Sequence, residues 1–235
     1  EMLMANQKNL KQGLYNSKNE HDSCGVGFIA NIHGKKSHRI VKQGLEILTN
    51  LTHRGATGYD PKLGDGAGLL MQISDPFFRN AAENLKLNLP SAGYYGIGMV
   101  FLPQTKEKRE RYELLISNVI KEEGQYEIGW RNVPVNNKNI ALAAKDVEPV
   151  IKQIIIGRNK ICSSQDDFER KLFVIRKRIE IEVGKLNIDD PAKFYIASMS
   201  SRTIVYKGML LACEVGIYFK DLLDKKMQSS LALVH

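Results

Sequence analysis

"NEHDSCGVGFIANI", residues 19–32, joins a polar leader to the first apolar run of the chain at a single cysteine, Cys24. After the cysteine, apolar residues and glycines follow one another over 25–30, and this run predicts a first core strand. Before it, residues 1–23 carry only scattered apolar side chains. The sequence therefore raises the question of why a cysteine stands at this junction.

Two interpretations of Cys24 fit the residues around it poorly. A lipid-anchored cysteine requires an apolar segment directly upstream, and the leader has none. Gly25, Gly27 and Ala30 match the pattern G-x-G-x-x-A of dinucleotide-binding loops, which must follow a strand and open a helix. Here the match follows a polar leader and continues as a strand, so the sequence context argues against a dinucleotide site.

Two other interpretations of Cys24 remain open on the residues alone. Free cysteines are commonly buried, so Cys24 fits a structural role in the core. Alternatively, cleavage between Ser23 and Cys24 would give the cysteine a free α-amine. An α-amine has a pKa of about 7.7 and a thiol one of about 8.5, so the amine can take the thiol proton near neutral pH. Nucleophile and general base would then come from one residue.

The composition is that of a globular chain. Its 235 residues allow one large domain or two small ones, and 43% hydrophobic with 26% charged residues is typical of such proteins. No apolar run reaches the ~18 residues of a membrane helix, so we expect no membrane partner.

Three scattered cysteines, Cys24, Cys162 and Cys213, disfavour a disulfide framework and favour a reducing compartment. They lack the C-x-x-C spacing of zinc or cluster sites, so we expect no metal ligands.

The net charge of +8 raises the question of a nucleic-acid partner. Lysine and arginine, however, alternate with glutamate along the helical segments 106–115 and 169–182. Mixed-sign patterning of this kind favours a solvated helix surface. We therefore expect no nucleic-acid partner.

A glycine-rich segment follows the first predicted helix. The helix should begin near Ser37, with its apolar stripe at Ile40, Gly44 or Leu45, Leu48 and Leu51. The chain then turns through "THRG" into a loop with five glycines between residues 55 and 68, and a strand follows at 67–74. Such a loop permits close backbone approach and offers the polar side chains of Arg54, Asp60 and Asp65. An ordinary connecting loop with turn glycines explains the composition equally well.

The remainder of the chain alternates strands and helices. From residue 94 the pattern predicts β-α-β-α-β-α-β-β and hence an α+β fold. Thr105 should cap one helix, and Gly124 should end it. The clearest helix should begin with Asp166 and Asp167 in its first turn and end at Gly184. Its apolar stripe is Phe168, Leu172, Ile175, Ile179 and Val183.

An ordered set of segments resembles one known family. It comprises "CGVGF" (24–28), "LTHRGATGYD" (51–60), "GDGAG" (64–68), "GMVFLP" (98–103), "EPVIKQIIIG" (148–157), "FERKLFVIRKRIE" (168–180) and "SSRTIVYKGML" (200–210). Together they resemble the glutaminase domain of the glutamate synthase family, a class II, N-terminal-nucleophile glutamine amidotransferase. The likeness extends over residues 20–235 and favours the nucleophile interpretation of Cys24.

The resemblance implies a fold and a site. The fold would be a four-layer αββα sandwich, incomplete at its C-terminus, with an inserted α/β segment at roughly 104–190. Residues 1–23 would be a propeptide cut between Ser23 and Cys24, and 24–235 the N-terminal part of the amidotransferase domain. Cys24 would attack L-glutamine and form a glutamyl thioester, while Arg54 and Asp65 would line the glutamine pocket.

The resemblance also implies a larger parent enzyme, a glutamate synthase that passes ammonia to 2-oxoglutarate. FMN and an iron–sulfur cluster would bind in its synthase domains and none in this chain. Its electron donor would be ferredoxin or a small NAD(P)H-dependent subunit, and its location bacterial cytoplasm or plastid stroma. His235 would open a segment that completes the substrate site, so this part alone should be inactive. The alternative is a non-catalytic assembly or binding module, against which Cys24 and the turn 53–55 argue.

Overall fold

The computed structural model describes residues 25–54, 64, 66–138, 140, 142–186 and 194–235. Strands and helices alternate along these residues, and the predicted α+β class is confirmed. The strands are Gly27–Ala30 (β1), Ala67–Gln72 (β2), Tyr95–Leu102 (β3), Tyr126–Asn132 (β4), Val150–Gly157 (β5), Tyr195–Ser200 (β6), Thr203–Gly208 (β7) and Leu231–Val234 (β8). The α-helices are His38–Asn50 (α1), Asp75–Asn84 (α2), Lys106–Glu122 (α3), Leu142–Lys145 (α4), Gln165–Lys185 (α5) and Val215–Tyr218 (α6). Three 3-10 turns complete them: Leu51–Arg54, Ala212–Glu214 and Lys220–Leu223.

The strands form two four-stranded antiparallel sheets. The first sheet has the order β1-β8-β2-β7, and the second has the order β4-β5-β3-β6. The chain passes from the second sheet to the first at Ser201 and Arg202, between the edge strands β6 and β7. The serines of this corner are held by α5, because Glu169 accepts hydrogen bonds from the hydroxyls of Ser200 and Ser201.

The first sheet packs against α1. The helix presents the predicted stripe to the sheet, with Ile40, Gly44 and Leu48 all buried. A Cβ added at Gly44 would lie 2.8 Å from both Ala232 Cβ and Leu69 Cδ1, so the helix backbone approaches the sheet closely. This contact fixes α1, and the turn that follows it, over one end of β1, β8 and β2.

The second sheet is covered on one face by α3 and α5. The predicted stripe of α5 is confirmed, since its five apolar residues are all buried in one cluster with side chains of α3. Thr105 is the N-cap residue of α3, but its side chain makes no cap hydrogen bond. The predicted stop at Gly184 is wrong by one residue, because α5 continues to Lys185. A glycine with open space around it on a helix surface weakens the helix without ending it.

One prediction for the first sheet is wrong, and two elements in or near it were not predicted. Strand β1 is not a core strand, since the Phe28 side chain is 74% exposed. Strand β8 was not predicted, because it contributes only four residues beyond a polar stretch. Helix α2 was not predicted either, although Pro76 at its first turn is a recognised start signal. Among the helices of the described residues, none combines the length and apolar character needed to cross a membrane.

A buried polar cluster links the two sheets. Arg131 of β4 donates two hydrogen bonds of 2.7 Å to the carboxylate of Asp221. Tyr206 of β7 donates to the same carboxylate at 3.0 Å, and Gln153 of β5 bonds to Arg131 and Tyr206. The Lys220–Leu223 turn is thereby tied to both sheets.

Candidate functional site

The strand register brings four chain segments to one end of the first sheet. Gly27, where β1 begins, pairs with Val234, where β8 ends. Ala67, where β2 begins, pairs with Gly208, where β7 ends. Gly68 and His235 exchange two backbone hydrogen bonds of 2.9 and 3.2 Å. We call this end, which carries Gly27, Gly66, Gly208 and His235, the open end of the first sheet.

The predicted site residues are connected to this open end through the chain. Cys24 precedes Gly27 by three residues, and Asp65 precedes Ala67 by two. Ser23, Cys24 and Asp65 lie outside the described residues, so their predicted roles stay predictions. The same holds for Asp60.

The Leu51–Arg54 turn lies against the start of β1. A Cβ added at Gly27 would be 3.8 Å from Leu51 Cδ1 and 2.5 Å from Ile47 Cγ2. The turn contains Arg54, whose backbone is thereby placed near the open end, while its side chain lies outside the described set. The structure thus brings together the backbone at the Arg54 turn with the segments that lead to Cys24 and Asp65.

The glycine-rich segment shows close backbone approach at Gly64 and an unusual backbone conformation at Gly66. Gly64 is buried, and a Cβ added there would lie 2.3 Å from the carbonyl oxygen of Leu210. Gly66 has a φ of +129°, a conformation that other residues rarely adopt. The chain on either side of Asp65 therefore depends on glycine for its path past Leu210.

A cavity of about 500 Å³ opens at the open end and continues along the face of the sheet opposite α1. It is lined by glycines and by apolar side chains, together with Lys207 and His235. This volume lies within the range of small-molecule sites. Its lining includes Gly66, Gly68, Gly208, Met209, His235 and Phe101.

Among the described residues that line this cavity, Lys207 and His235 are the basic ones. Its ammonium lies 2.6 Å from the hydroxyl of Tyr195 and 4.4 Å from the centre of that ring. Lys207 and Met209 were not predicted as site residues, and His235 was predicted only to open a segment that completes the substrate site. All three residues stand at or beside the ends of β7 and β8, the two strands that pair with β2. Strand β2 directly follows the glycine-rich segment, so only strand pairing brings these residues to the cavity.

Other chemically active side chains of the described residues do not line this cavity. The Cys162 thiol is buried beside Gln125, and Cys213 is exposed on the Ala212–Glu214 turn. His38 bonds through Nδ1 to the carbonyl of Met227 at 2.9 Å, which is a structural role. Within the described residues, no three histidine, cysteine or acidic side chains converge as a metal site would require.

Comparison with known proteins places the chain in a family. The model of the class II glutamine amidotransferases matches residues 24–235. The chain is 46% identical over 230 residues to the glutamate synthase [NADPH] large chain of Bacillus subtilis, covering 98% of this chain and 15% of the relative. It is 40% identical over 222 residues to the corresponding chain of Azospirillum brasilense, covering 94% and 14%. It is 38% identical to the ferredoxin-dependent glutamate synthase of Pyropia yezoensis, again covering 94% and 14%.

The chain thus spans about 15% of the length of the relatives it matches. The family match begins at Cys24, the residue that the sequence had singled out, and runs to His235. Its length and the identities of 38–46% extend over both sheets and all the segments of the open end. The chain belongs to the class II glutamine amidotransferases.

Proposed function

We propose that this chain is the glutaminase part of a glutamate synthase and that Cys24 is its nucleophile. The observation that carries the proposal is the strand register. It directs the segment after Cys24 and the glycines around Asp65 to one end of the first sheet, beside a cavity. The Leu51–Arg54 turn lies at the same end, because Leu51 packs against Gly27. The family membership and the position of Cys24 at the start of the family match support the same assignment.

The proposed chemistry begins with removal of residues 1–23. The free α-amine of Cys24 takes the thiol proton, and the thiolate attacks the side-chain carbonyl carbon of L-glutamine. The C–N bond then breaks, ammonia leaves with the transferred proton, and a glutamyl thioester remains on Cys24. Water hydrolyses the thioester to glutamate and regenerates the thiol. Arg54 and Asp65 bind the substrate in this proposal, Arg54 through its fixed positive charge.

The remaining parts of the proposal concern the fold and the parent enzyme. The αββα sandwich rests on the resemblance alone, because α1 and the Tyr206–Gln153 contact with the second sheet share one face of the first sheet. The parent would pass ammonia to 2-oxoglutarate and take electrons from ferredoxin or an NAD(P)H-dependent subunit, in bacterial cytoplasm or plastid stroma. FMN and an iron–sulfur cluster would serve its other domains. The separate positions of Cys162 and Cys213 do not fit the ligand set of a cluster.

Replacement of the nucleophile tests this function in the full-length enzyme. We expect Cys24→Ser to lower glutamine-dependent glutamate formation at least about a thousandfold, because a serine hydroxyl is a far weaker nucleophile and single losses of a nucleophile are this large. Ammonia-dependent formation should be unchanged. The matched control is Cys213→Ser, which changes an exposed thiol and should retain both activities. Undiminished glutamine use by Cys24→Ser would refute the assignment.

A further inference from the structure

A positively charged surface lies at the end of the first sheet opposite the open end. Strand β1 starts at the open end and stops at Ala30, and the chain then turns into α1. Ser37, directly before α1, exchanges two backbone hydrogen bonds of 3.0 and 3.3 Å with Ser229. The side chain of the first residue of α1 bonds to the last carbonyl of the turn 224–227 at 2.9 Å. The segment 31–42 and this turn therefore form one continuous surface.

Five exposed cations of these two segments form no ion pair with a described residue. We call this surface the basic end, and its cations are Lys35, Lys36, Arg39, Lys42 and Lys225. Asp224 is the one acidic residue of 31–42 and 224–227, and from Gly25 to Leu45 the sequence contains no aspartate or glutamate. The basic end therefore carries an excess of positive charge.

The basic residues of α5 are arranged differently. All of them form ion pairs with described aspartates or glutamates: Arg170, Lys171, Arg176, Lys177, Arg178 and Lys185. Such pairing reduces the electrostatic potential of a helix surface, whereas unpaired like charges repel one another. Because the cations of the basic end lack the counter-charges found on α5, they are available to an acidic group from another molecule.

An apolar side chain stands among these cations. Ile32 is 91% exposed, more than any other large apolar side chain of the described residues. Its turn is held by the Asn31 side chain, which accepts hydrogen bonds from the backbone N–H groups of His33 and Lys35 at 3.0 and 3.2 Å. Protein interfaces combine an apolar centre with a polar or charged rim, and the basic end has both parts on a hydrogen-bonded backbone.

The same features fit a nucleic acid or a lipid surface less well. Tight duplex binding uses about six to ten phosphate contacts, and the basic end has five cations. Single strands stack their bases on aromatic side chains, and 31–42 and 224–227 contain no phenylalanine, tyrosine or tryptophan. A lipid surface is bound through a broad apolar face, whereas here one isoleucine projects. An acidic protein surface is therefore the partner that the basic end matches.

We propose that the basic end is a docking surface for a separate protein whose acidic side chains surround an apolar pocket that receives Ile32. Acidic and basic patches that face each other steer the encounter and fix the orientation of a complex. The inference goes beyond the proposed function, because the basic end lies at the opposite end of the first sheet from the cavity. A partner bound there would leave the open end accessible.

The test measures binding of a fluorescent, glutamate-rich peptide that contains two leucines to the full-length enzyme at low salt. We expect Lys35→Glu/Lys36→Glu to weaken binding about tenfold, because it replaces attraction by repulsion close to the probe. The matched control Lys121→Glu/Lys160→Glu makes the same charge change at exposed lysines elsewhere and should leave binding unchanged. Ile32→Ser should weaken binding of this peptide about fivefold and leave binding of poly-L-glutamate unchanged, since only the former offers apolar side chains.

The unfolding temperature of each variant should equal that of the parent protein, which shows that binding and not folding is affected. If the first variant does not fold, Arg39→Gln/Lys225→Gln carries the same test. Equal weakening by both lysine pairs would mean that the probe responds to net charge alone, and it would overturn the inference, as would an unaltered enzyme that does not bind the peptide. Tighter binding of a DNA duplex or of anionic lipid vesicles through the same lysines would assign the basic end to another partner and overturn it too.

Discussion

Ser164 and Thr105 are both N-cap residues, but only one of them forms a cap. Ser164 accepts a hydrogen bond from the Asp167 backbone N–H, and Asp167 accepts one from the Ser164 N–H, which completes a capping box. These hydrogen bonds, led by those of Ser163 and Ser164, lower the pKa of Asp167 to about 2. Thr105 has the same position at α3 and makes no side-chain cap bond. Comparing the loss of each side chain therefore measures how much the capping hydroxyl of Ser164 stabilises α5.

We expect Ser164→Ala to destabilise α5 by about 1 kcal/mol, since it leaves an N–H at the helix start without an acceptor. Hydrogen exchange of the first-turn amides of α5 should speed up about fivefold. Thr105→Ala should leave exchange in α3 nearly unchanged. The Asp167 contribution is present above its unfolded pKa, near 4, and is lost as pH falls toward 2. An equal response of the two helices at neutral pH would contradict this reading.

At the scale of elements, long periodic segments could be predicted from the sequence, and short ones could not. Helix α5 was predicted because its buried residues repeat over several turns, and strand β3 because its apolar residues form one continuous run. Strand β8 has four residues, and its identity depends on pairing with β1 and β2, which are distant in sequence.

The residues of the candidate site also differ in whether the sequence could predict them. Cys24 and the Arg54 turn were found through motifs, whereas Lys207 and Met209 reach the cavity through strand register. Local sequence therefore predicts the residues that define the chemistry better than those that surround them.

Two helical glycines provide a test of close packing between elements. Gly44→Ala in α1 should destabilise the fold by about 1–2 kcal/mol, because the added methyl lies 2.8 Å from Ala232 Cβ in the sheet. Gly184→Ala in α5 should stabilise by about 0.5–1 kcal/mol, since nothing lies within 4 Å of its added methyl and alanine favours helix. Urea unfolding followed at Trp130, the one tryptophan of the chain, would measure both. Stabilisation by both substitutions would mean that α1 does not pack tightly on the first sheet.

At the scale of the whole molecule, the Arg131–Asp221 pair ties together elements that are far apart in sequence. The side chains are 12% and 2% exposed, and Arg131 also lies 5.1 Å from the centre of the Phe77 ring. Burial alone would lower the pKa of Arg131, but the hydrogen bonds and charge of Asp221 outweigh it and raise the pKa. Burial, with the charge of Asp221, also raises the pKa of Tyr206, so this hydroxyl remains a neutral donor. The cluster is charged, buried and fully paired, which makes it sensitive to loss of any one member.

Loss of Asp221 should therefore affect both sheets together. We expect Asp221→Asn to destabilise the fold by about 3 kcal/mol or more, because it leaves the buried Arg131 charge without a counter-ion. The exposed Arg202–Asp166 pair is the matched control, and Asp166→Asn should cost less than about 1 kcal/mol. Hydrogen exchange should show about a hundredfold faster exchange of the slowest amides in β5 and β7 for Asp221→Asn. The double variant Arg131→Met/Asp221→Leu should recover much of this loss, because it removes both buried charges and keeps apolar volume between the sheets. If exchange rises in one sheet only, or if the double variant is no better than the single one, the pair does not join the two sheets as its hydrogen bonds indicate.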